Sequence, residues 1–311
     1  MNFDAMTTML QRSLRGRVEP NFELGPLTTY RLGGPTAVYA EPEDEKDLDR
    51  LIEIVRAEGD VSILPFGRGS NLVVSDEGWP GVAIRVGRDF GHIHAGEGEN
   101  LVFAGAGVSL PQLANWCGRR ALTGTEFGVG IPGSVGGAVR MNAGAHKQDV
   151  AAVLDSAVVV DAGSGLVEEI PAADLGFSYR HSALDDRRIV AGATFRLRPD
   201  ETPAIRARME HFRRHRAETQ PGALANAGSV FKNPPGDFAG RLVEAAGLKS
   251  FRVGGASVSD VHANFFIAGP GATSQDVHDL VQEVARRVED SFGVRLEPEI
   301  RFVGRFSTET P

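Results

Sequence analysis

The stretch GVGIPGSVGGAVRMNAGA, residues 128–145, holds six glycines, and Gly128, Gly130 and Gly133 fit the spacing G-x-G-x-x-G. Two further loops share this character: LPFGRGSNLVV (64–74) and VFAGAGVSLPQL (102–113). Glycine loops turn successive backbone N–H groups toward one point, and such nests bind phosphate without needing a helix. The chemistry open to these residues is therefore recognition of a phosphorylated ligand.

A Rossmann dinucleotide site is the sharper reading, and it fails. That fingerprint needs a strand before the glycines and a helix directly after them. Pro132 lies inside the 128–133 match, and glycines continue beyond it. Each glycine costs a helix interior roughly 1 kcal/mol relative to alanine, so no helix is expected here. Asp161 lies 28 residues past Gly133, where the fingerprint wants an acidic residue about 20 residues on. In the 102–113 loop Leu110 occupies the place of the third glycine. The 64–74 loop leads into β-rich sequence. The nest reading puts Gly67, Gly69, Ser70 and Asn71 around one anion-binding concavity. Gly133, Ser134, Gly136 and Gly137 make another, and the two could clamp a pyrophosphate. Taken singly, each loop is equally well a tight turn.

Other reactive side chains point to less. His211 and His215 have the i, i+4 spacing of metal ligands, but Arg213, Arg214 and Arg216 surround them, so they read as a solvated helix face. His92 and His94 alternate and read as solvent-facing. No metal site is expected. Cys117 is the single cysteine. It excludes an internal disulfide and a CxxC centre, suits a reducing cytoplasm, and falls on an apolar helix stripe, as core.

The elements that must carry these residues can be read from periodicity. The chain has 311 residues, 41% hydrophobic and 24% charged, with a net charge of −8. This is a globular composition, and its acidity argues against a nucleic-acid binder. No apolar run approaches a membrane span, and the N-terminus lacks the apolar core of a secretory signal. Leu48, Leu51, Ile52 and Val55 predict a helix, closed by Gly59. Leu110, Leu113, Ala114 and Cys117 predict a second. Residues 204–218 predict a charged helix linking domains. Val277, Leu280, Val281, Val284 and Val288 predict a long amphipathic helix, with a capping box at Thr273 and Asp276. Residues 1–18 suggest a short helix or a frayed end, the stretches 81–108 and 152–198 are strand-rich, and 294–304 closes the chain as a strand. The class is α+β, in three modules: 1–83, 84–205 and 206–311.

Several segments occur in a telling order: TTYRLGGPT (28–36), FGRGSNLVVSD (66–76), GIPGSVGGAVRMNAGA (130–145), FSYRHS (177–182), AGSVFKNP (227–234), AGLKSFRVGGASVSDVHANF (246–265) and LEPEIR (296–301). Together they closely resemble the MurB family, the UDP-N-acetylenolpyruvoylglucosamine reductases of peptidoglycan synthesis. The resemblance runs from about 20 to 305. It implies a two-module FAD-binding fold of the vanillyl-alcohol-oxidase type plus a C-terminal α/β substrate-binding domain, the last strand near 296–305 returning to the FAD site. It implies non-covalent FAD, NADPH as hydride donor, a UDP-sugar substrate, a cytoplasmic location and a monomer.

The resemblance also assigns residues. Ser229 matches the proton donor, and Arg180 and Glu299 match the groups around the substrate carboxylate and the developing enolate. A guanidinium suits that charge. A serine hydroxyl is too weak an acid to act unaided, so Lys232, Asn233 or water is expected to support it. FAD contacts are implied for Gly67, Arg68, Gly69, Ser70, Asn71, Ile131, Pro132, Gly133, Ser134, Gly136, Gly137, Asn142, Gly144 and Arg301. Substrate contacts are implied for Tyr179, Lys232, Asn233, His262 and Asn264. No tyrosine follows residue 182, which resembles the subclass lacking a tyrosine-bearing loop over the substrate. SDVHANF departs from the commoner form with Glu and Lys after the serine. The rivals are another flavoenzyme on the same fold and a non-catalytic nucleotide-sugar or FAD-binding protein.

Overall fold

A computed structural model describes residues 2–86, 90–222 and 224–307. The chain forms two compact units. The first comprises Met1–Phe22, Ala37–Arg68 and Gly81–His215, and the second Glu23–Thr36, Gly69–Pro80 and Arg216–Pro311. Residues 23–36 and 69–80 therefore leave the first unit, although they lie between its segments in sequence.

In the first unit, helix α1 (Phe3–Ser13) buries Met6 and Leu10 and is no frayed end. Helix α2 (Glu45–Ala57) starts where the Asp44 carboxylate accepts from the Asp47 N–H, and buries Leu48, Leu51, Ile52 and Val55. Gly59 follows its end with φ of +89°, a left-handed conformation that favours glycine. A four-stranded sheet, most of whose residues belong to this unit, runs in the order Arg17–Glu23, Pro35–Glu41, Trp79–Arg85, Ile63–Phe66, with the last two parallel. A five-stranded sheet runs Val167–Pro171, Leu154–Asp161, Arg188–Arg196, Leu101–Gly105, Ile93–Ala95, every neighbour antiparallel. Helix α3 (Leu110–Gly118) has a capping box from Ser109 and Gln112 and buries Cys117 completely.

Helix α4 (Val135–Met141) corrects the expectation of no helix after Gly133. Tertiary packing overrides propensity here. The Val135 and Gly136 amides donate to the carbonyls of Val108 and Ala106, at 2.8 and 3.0 Å. A Cβ on Gly136 would lie 3.0 Å from the Ala106 Cβ. Glycine at 136 is what lets the helix backbone bond directly to the turn that follows strand Leu101–Gly105. The Rossmann exclusion still stands, because Glu126–Gly130 before the loop is a 3-10 turn, not a strand. Helix α5 (Thr202–Thr219) carries the unit boundary in its last turn.

In the second unit, helix α6 (Ala239–Ala245) and helix α7 (Ser274–Phe292) share a core with a three-stranded antiparallel sheet, Arg252–Val253, Ala256–Val258 and Phe266–Ala268. The Thr273–Asp276 capping box is present, and the predicted valine and leucine stripe of α7 is buried. The strand expected over 294–304 shrinks to Arg301–Val303, paired in parallel with Leu72–Val74. Pro298 and the irregular backbone around it break it off earlier.

Candidate active site

In the first unit a cleft is lined by Phe66, Gly67, Ser134, Gly136, Gly137 and Val190, with Arg140 and Arg188 also on its walls. A Cβ on Gly67 would lie 2.2 Å from the Ser134 hydroxyl oxygen, so a side chain at 67 would fill the space between these loops. Glycine backbone, one hydroxyl and two guanidinium groups suit a ligand that carries phosphate. The two arginines were not singled out in the sequence; the basic residue in AVRMN was the available signal for Arg140. Arg140 holds Asp186 at 2.6 Å, and Arg188 lies 3.7 Å from Asp161.

The expected loop residues divide by task. The Gly136 amide is engaged by Ala106 rather than presented to an anion. Ser134 accepts from the Gly137 N–H at 3.4 Å. The Gly133 carbonyl accepts from Leu110, and the Pro132 carbonyl accepts from Arg68 Nε at 3.0 Å, with Ile131 before it partly buried in the core. Asn142 ends α4 in the left-handed region and is 2% exposed. Its amide donates to the Ser178 carbonyl and accepts from Ala151. It is a hub that ties the α4 exit to the turn at 178–181.

That turn presents Arg180. Ser178 and His181 exchange both backbone hydrogen bonds, leaving Tyr179 and Arg180 at the tip. Arg180 has φ of +55°, a sparsely populated region for a residue with a Cβ. Its Nη2 donates to the Gly144 carbonyl at 2.6 Å, and its guanidinium lies 5.2 Å from the Tyr179 ring centroid. Tyr179 is exposed. A strained, anchored arginine of this kind fits a ligand-gripping role.

The second unit holds Ser229, Lys232, Asn233, His262, Asn264 and Glu299, together with Gly69, Ser70, Asn71 and Arg301. Three strips of chain are laced here. The Val230 N–H donates to the Asn264 carbonyl at 2.8 Å, and the Glu299 N–H donates to the Val230 carbonyl at 2.7 Å. The Asn264 side chain bonds both ends of Phe231's peptide groups, accepting from its N–H at 2.9 Å and donating to its carbonyl at 2.8 Å. Asn71 donates to the Glu299 carbonyl at 3.0 Å, and its own carbonyl accepts from Arg301 N–H at 2.9 Å. The glycine loop at 69–71, where Gly69 turns with φ of +58°, is thereby fixed to the segment carrying Glu299. Sequence spacing gives no sign of this link.

The side chains at this site are unequally placed. Ser229 and Glu299 are half-buried. Lys232 lies 2.6 Å from Glu297, which is 70% exposed. Asn233 caps α6, its oxygen accepting from Ala239 N–H at 3.0 Å. His262 Nδ1 accepts from the Asn264 N–H at 3.2 Å, which leaves the ring proton on Nε2. Burial holds the His262 pKa below the ordinary histidine value, so the neutral ring prevails at pH 7. His211 and His215 are exposed, in keeping with a solvated face, though His215 meets the His146 ring edge-on at 5.3 Å. Among the described residues no acidic, histidine or cysteine group could hold a metal, and no helix is long and apolar enough to cross a membrane.

The comparisons with known proteins match two families along the chain, and the first match includes residues 69–80, which the structure places in the second unit. The family described as FAD binding domain matches residues 36–170. The family described as UDP-N-acetylenolpyruvoylglucosamine reductase, C-terminal domain, matches residues 220–303. UDP-N-acetylenolpyruvoylglucosamine reductase 2 of Symbiobacterium thermophilum is 45% identical over 291 residues, covering 93% of each chain. The reductase of Rhodopseudomonas palustris strain BisB5 is 42% identical, covering 98% of each. The crystal structure of MurB from Thermus caldophilus superposes with a TM-score of 0.78 at 34% identity, covering 94% of this chain and 100% of that one. The chain is an α+β FAD-dependent oxidoreductase that belongs to the MurB family, the UDP-N-acetylenolpyruvoylglucosamine reductases of peptidoglycan precursor synthesis.

Proposed function

We propose that the chain reduces the enolpyruvyl group of UDP-N-acetylglucosamine enolpyruvate to UDP-N-acetylmuramate, with NADPH as the electron source. The observation that carries the reading is the lacing of Ser229 to Glu299 through Val230, inside the segment that matches the reductase C-terminal domain. When bound, FAD supplies two-electron hydride chemistry between NADPH and the enolpyruvyl carbon C3.

For FAD the contacts are Gly67, Arg68, Gly69, Ser70, Asn71, Ile131, Pro132, Gly133, Ser134, Gly137, Gly144 and Arg301, with Gly136 contributing the room left by its missing side chain, since its amide is engaged by Ala106. Asn142 shapes that site from beneath. Arg180 grips the substrate carboxylate and stabilises the negative charge that builds as hydride arrives at C3. Ser229 Oγ delivers a proton to C2. The sum balances: one hydride to C3, one proton to C2, and the carbon–carbon double bond becomes single. The hydroxyl needs support. Lys232, which pairs with Glu297, and Asn233, whose oxygen caps helix α6, are the neighbours in sequence that would support it, and Glu299 acts beside Arg180 on the substrate carboxylate and the developing enolate. Tyr179 and neutral His262, donating through Nε2, contact the substrate. We take modules 1–83, 84–205 and 206–311 as the functional division, although the two compact units are cut differently, and the chain as a monomer in the cytoplasm.

Anaerobic spectroscopy on the holoenzyme tests this. NADPH should bleach the flavin band and the enolpyruvyl UDP-sugar should restore it. Ser229→Ala should keep the bleaching and lose the restoration. Bleaching without restoration in the wild type would make the protein another flavoenzyme.

A further inference from the structure

We propose that Asn264 is a positioning residue for Ser229, acting through the Phe231 backbone and not by touching substrate; this rests on the reading of Ser229 as proton donor. Asn264 is 3% exposed. Its amide is used at both ends, the oxygen by Phe231 N–H at 2.9 Å and the nitrogen by Phe231 carbonyl at 2.8 Å. Its own carbonyl takes the Val230 N–H, and its own N–H is bound to His262 Nδ1. Four hydrogen bonds therefore run from this one residue, three of them into the two residues that follow Ser229.

An amide is the side chain that can do this. Bridging one residue's N–H and carbonyl needs an acceptor and a donor on the same short planar group, and asparagine and glutamine carry both at every pH, whereas an aspartate does so only when protonated. A carboxylate of the same shape would set oxygen against the Phe231 carbonyl; an aliphatic side chain would leave both peptide groups buried without partners. The opposite side of the strip is closed by Glu299, whose N–H reaches Val230, and by the bridge between Phe231 and Pro298. Ser229 itself pairs with Phe265, the neighbour of Asn264. The serine is thus carried on backbone clamped from both sides, and the Asn264 amide supplies the side-chain half of the clamp. Proton delivery to a carbon is sensitive to such placement: a displacement of about 1 Å can slow a reaction about a hundredfold.

The test is Asn264→Asp in the holoenzyme, alone and combined with Ser229→Ala, read in separate half-reactions. Asn264→Asp should slow flavin reoxidation by the enolpyruvyl UDP-sugar at least about tenfold. It should leave reduction by NADPH and the substrate dissociation constant within about threefold, and add almost nothing to Ser229→Ala, because residues acting as a unit are non-additive. A weakened substrate affinity with an unchanged reoxidation rate constant would overturn the proposal, since that marks a substrate contact. So would full additivity with Ser229→Ala. If Ser229→Ala itself leaves reoxidation intact, the proton-donor reading fails as well, and the two failures are told apart. Hydrogen exchange of the wild-type holoenzyme gives a check that needs no variant: the Phe231 amide should stay protected with and without substrate. Exchange at the rate of an open loop would overturn the clamp.

Discussion

The Glu299 N–H donates to the Val230 carbonyl at 2.7 Å, so the backbone of one acid–base candidate is bonded to the residue next to the other. Glu297, two residues earlier, turns outward, 70% exposed, onto Lys232. An uninterrupted strand would have placed both glutamates on one face; the irregular backbone at Pro298 separates their environments. Exposed ion pairs contribute about 0–1 kcal/mol, whereas a carboxyl acting on the substrate, the role proposed for Glu299, has far larger leverage.

The two glutamates should therefore differ sharply. Glu299→Gln is expected to lower the rate of substrate-driven flavin reoxidation by about 10²–10⁴-fold, the range of acid–base contributions. Glu297→Gln should stay within about twofold of wild type. Anaerobic stopped-flow absorbance on both variants decides it, and equal losses would remove Glu299 from its assigned role.

Gly136 and Gly137 offer a second contrast. A Cβ at 136 would meet the Ala106 Cβ at 3.0 Å, and at 137 only the Ser134 hydroxyl, at 3.6 Å. Gly136→Val should destabilise the apoprotein by about 1–3 kcal/mol, the ordinary cost of overpacking, with lower flavin content on purification. Gly137→Ala lies in a helix and should leave apoprotein stability unchanged or raise it by about 0.4–1 kcal/mol. Urea titrations of both apoproteins measure the difference.

Arg208 fixes helix α5 to a buried carboxylate. Glu126 is 3% exposed and accepts from Arg208 Nη2 at 2.8 Å, Thr123 Oγ1 at 2.6 Å and Gly124 N–H at 2.7 Å. Burial pushes its pKa up, but these donors outweigh it and hold the carboxyl below its ordinary value. Arg208→Ala should destabilise by about 1–3 kcal/mol, less than for a fully buried pair because Arg208 is itself partly exposed and two donors remain. Arg208→Ala with Glu126→Gln should recover part of the loss, because the buried charge is gone. A double-mutant cycle from chemical denaturation gives the coupling.

What the sequence discloses depends on the range of the interaction. The α7 stripe, its Thr273–Asp276 box, Cys117 in the core and Gly59 beyond α2 are all local patterns, and all are present. Helix α4 was illegible because glycines at 136 and 137 lower its propensity; the bonds to Val108 and Ala106 that stabilise it come from another element. The site shows the same limit. Motif order points to Arg180, Ser229 and Glu299 as the residues of the proposed site. It says nothing of Asn71 holding the Glu299 carbonyl or of Asn264 holding Phe231, because those bonds join segments 228 and 33 residues apart.

Protonation should act on stability through His146 and His262. Burial lowers the pKa of both, and for His146 the neighbouring His215 and His211 add to it. In the unfolded chain each titrates near 6.5. Between that value and the lower native pKa, the unfolded state binds more protons, so stability rises with pH across this interval. The contribution is complete above about pH 6.5 and is lost as pH falls through the native values. Denaturation midpoints measured from pH 7.5 down to 5 should therefore fall, and the slope should shrink in His262→Gln, whose amide keeps an acceptor for the Asn264 N–H without a titrating ring. The variant's slope matching wild type would show that His262 is not buried neutral. A loss of slope only in His146→Gln would assign the effect to the first unit instead.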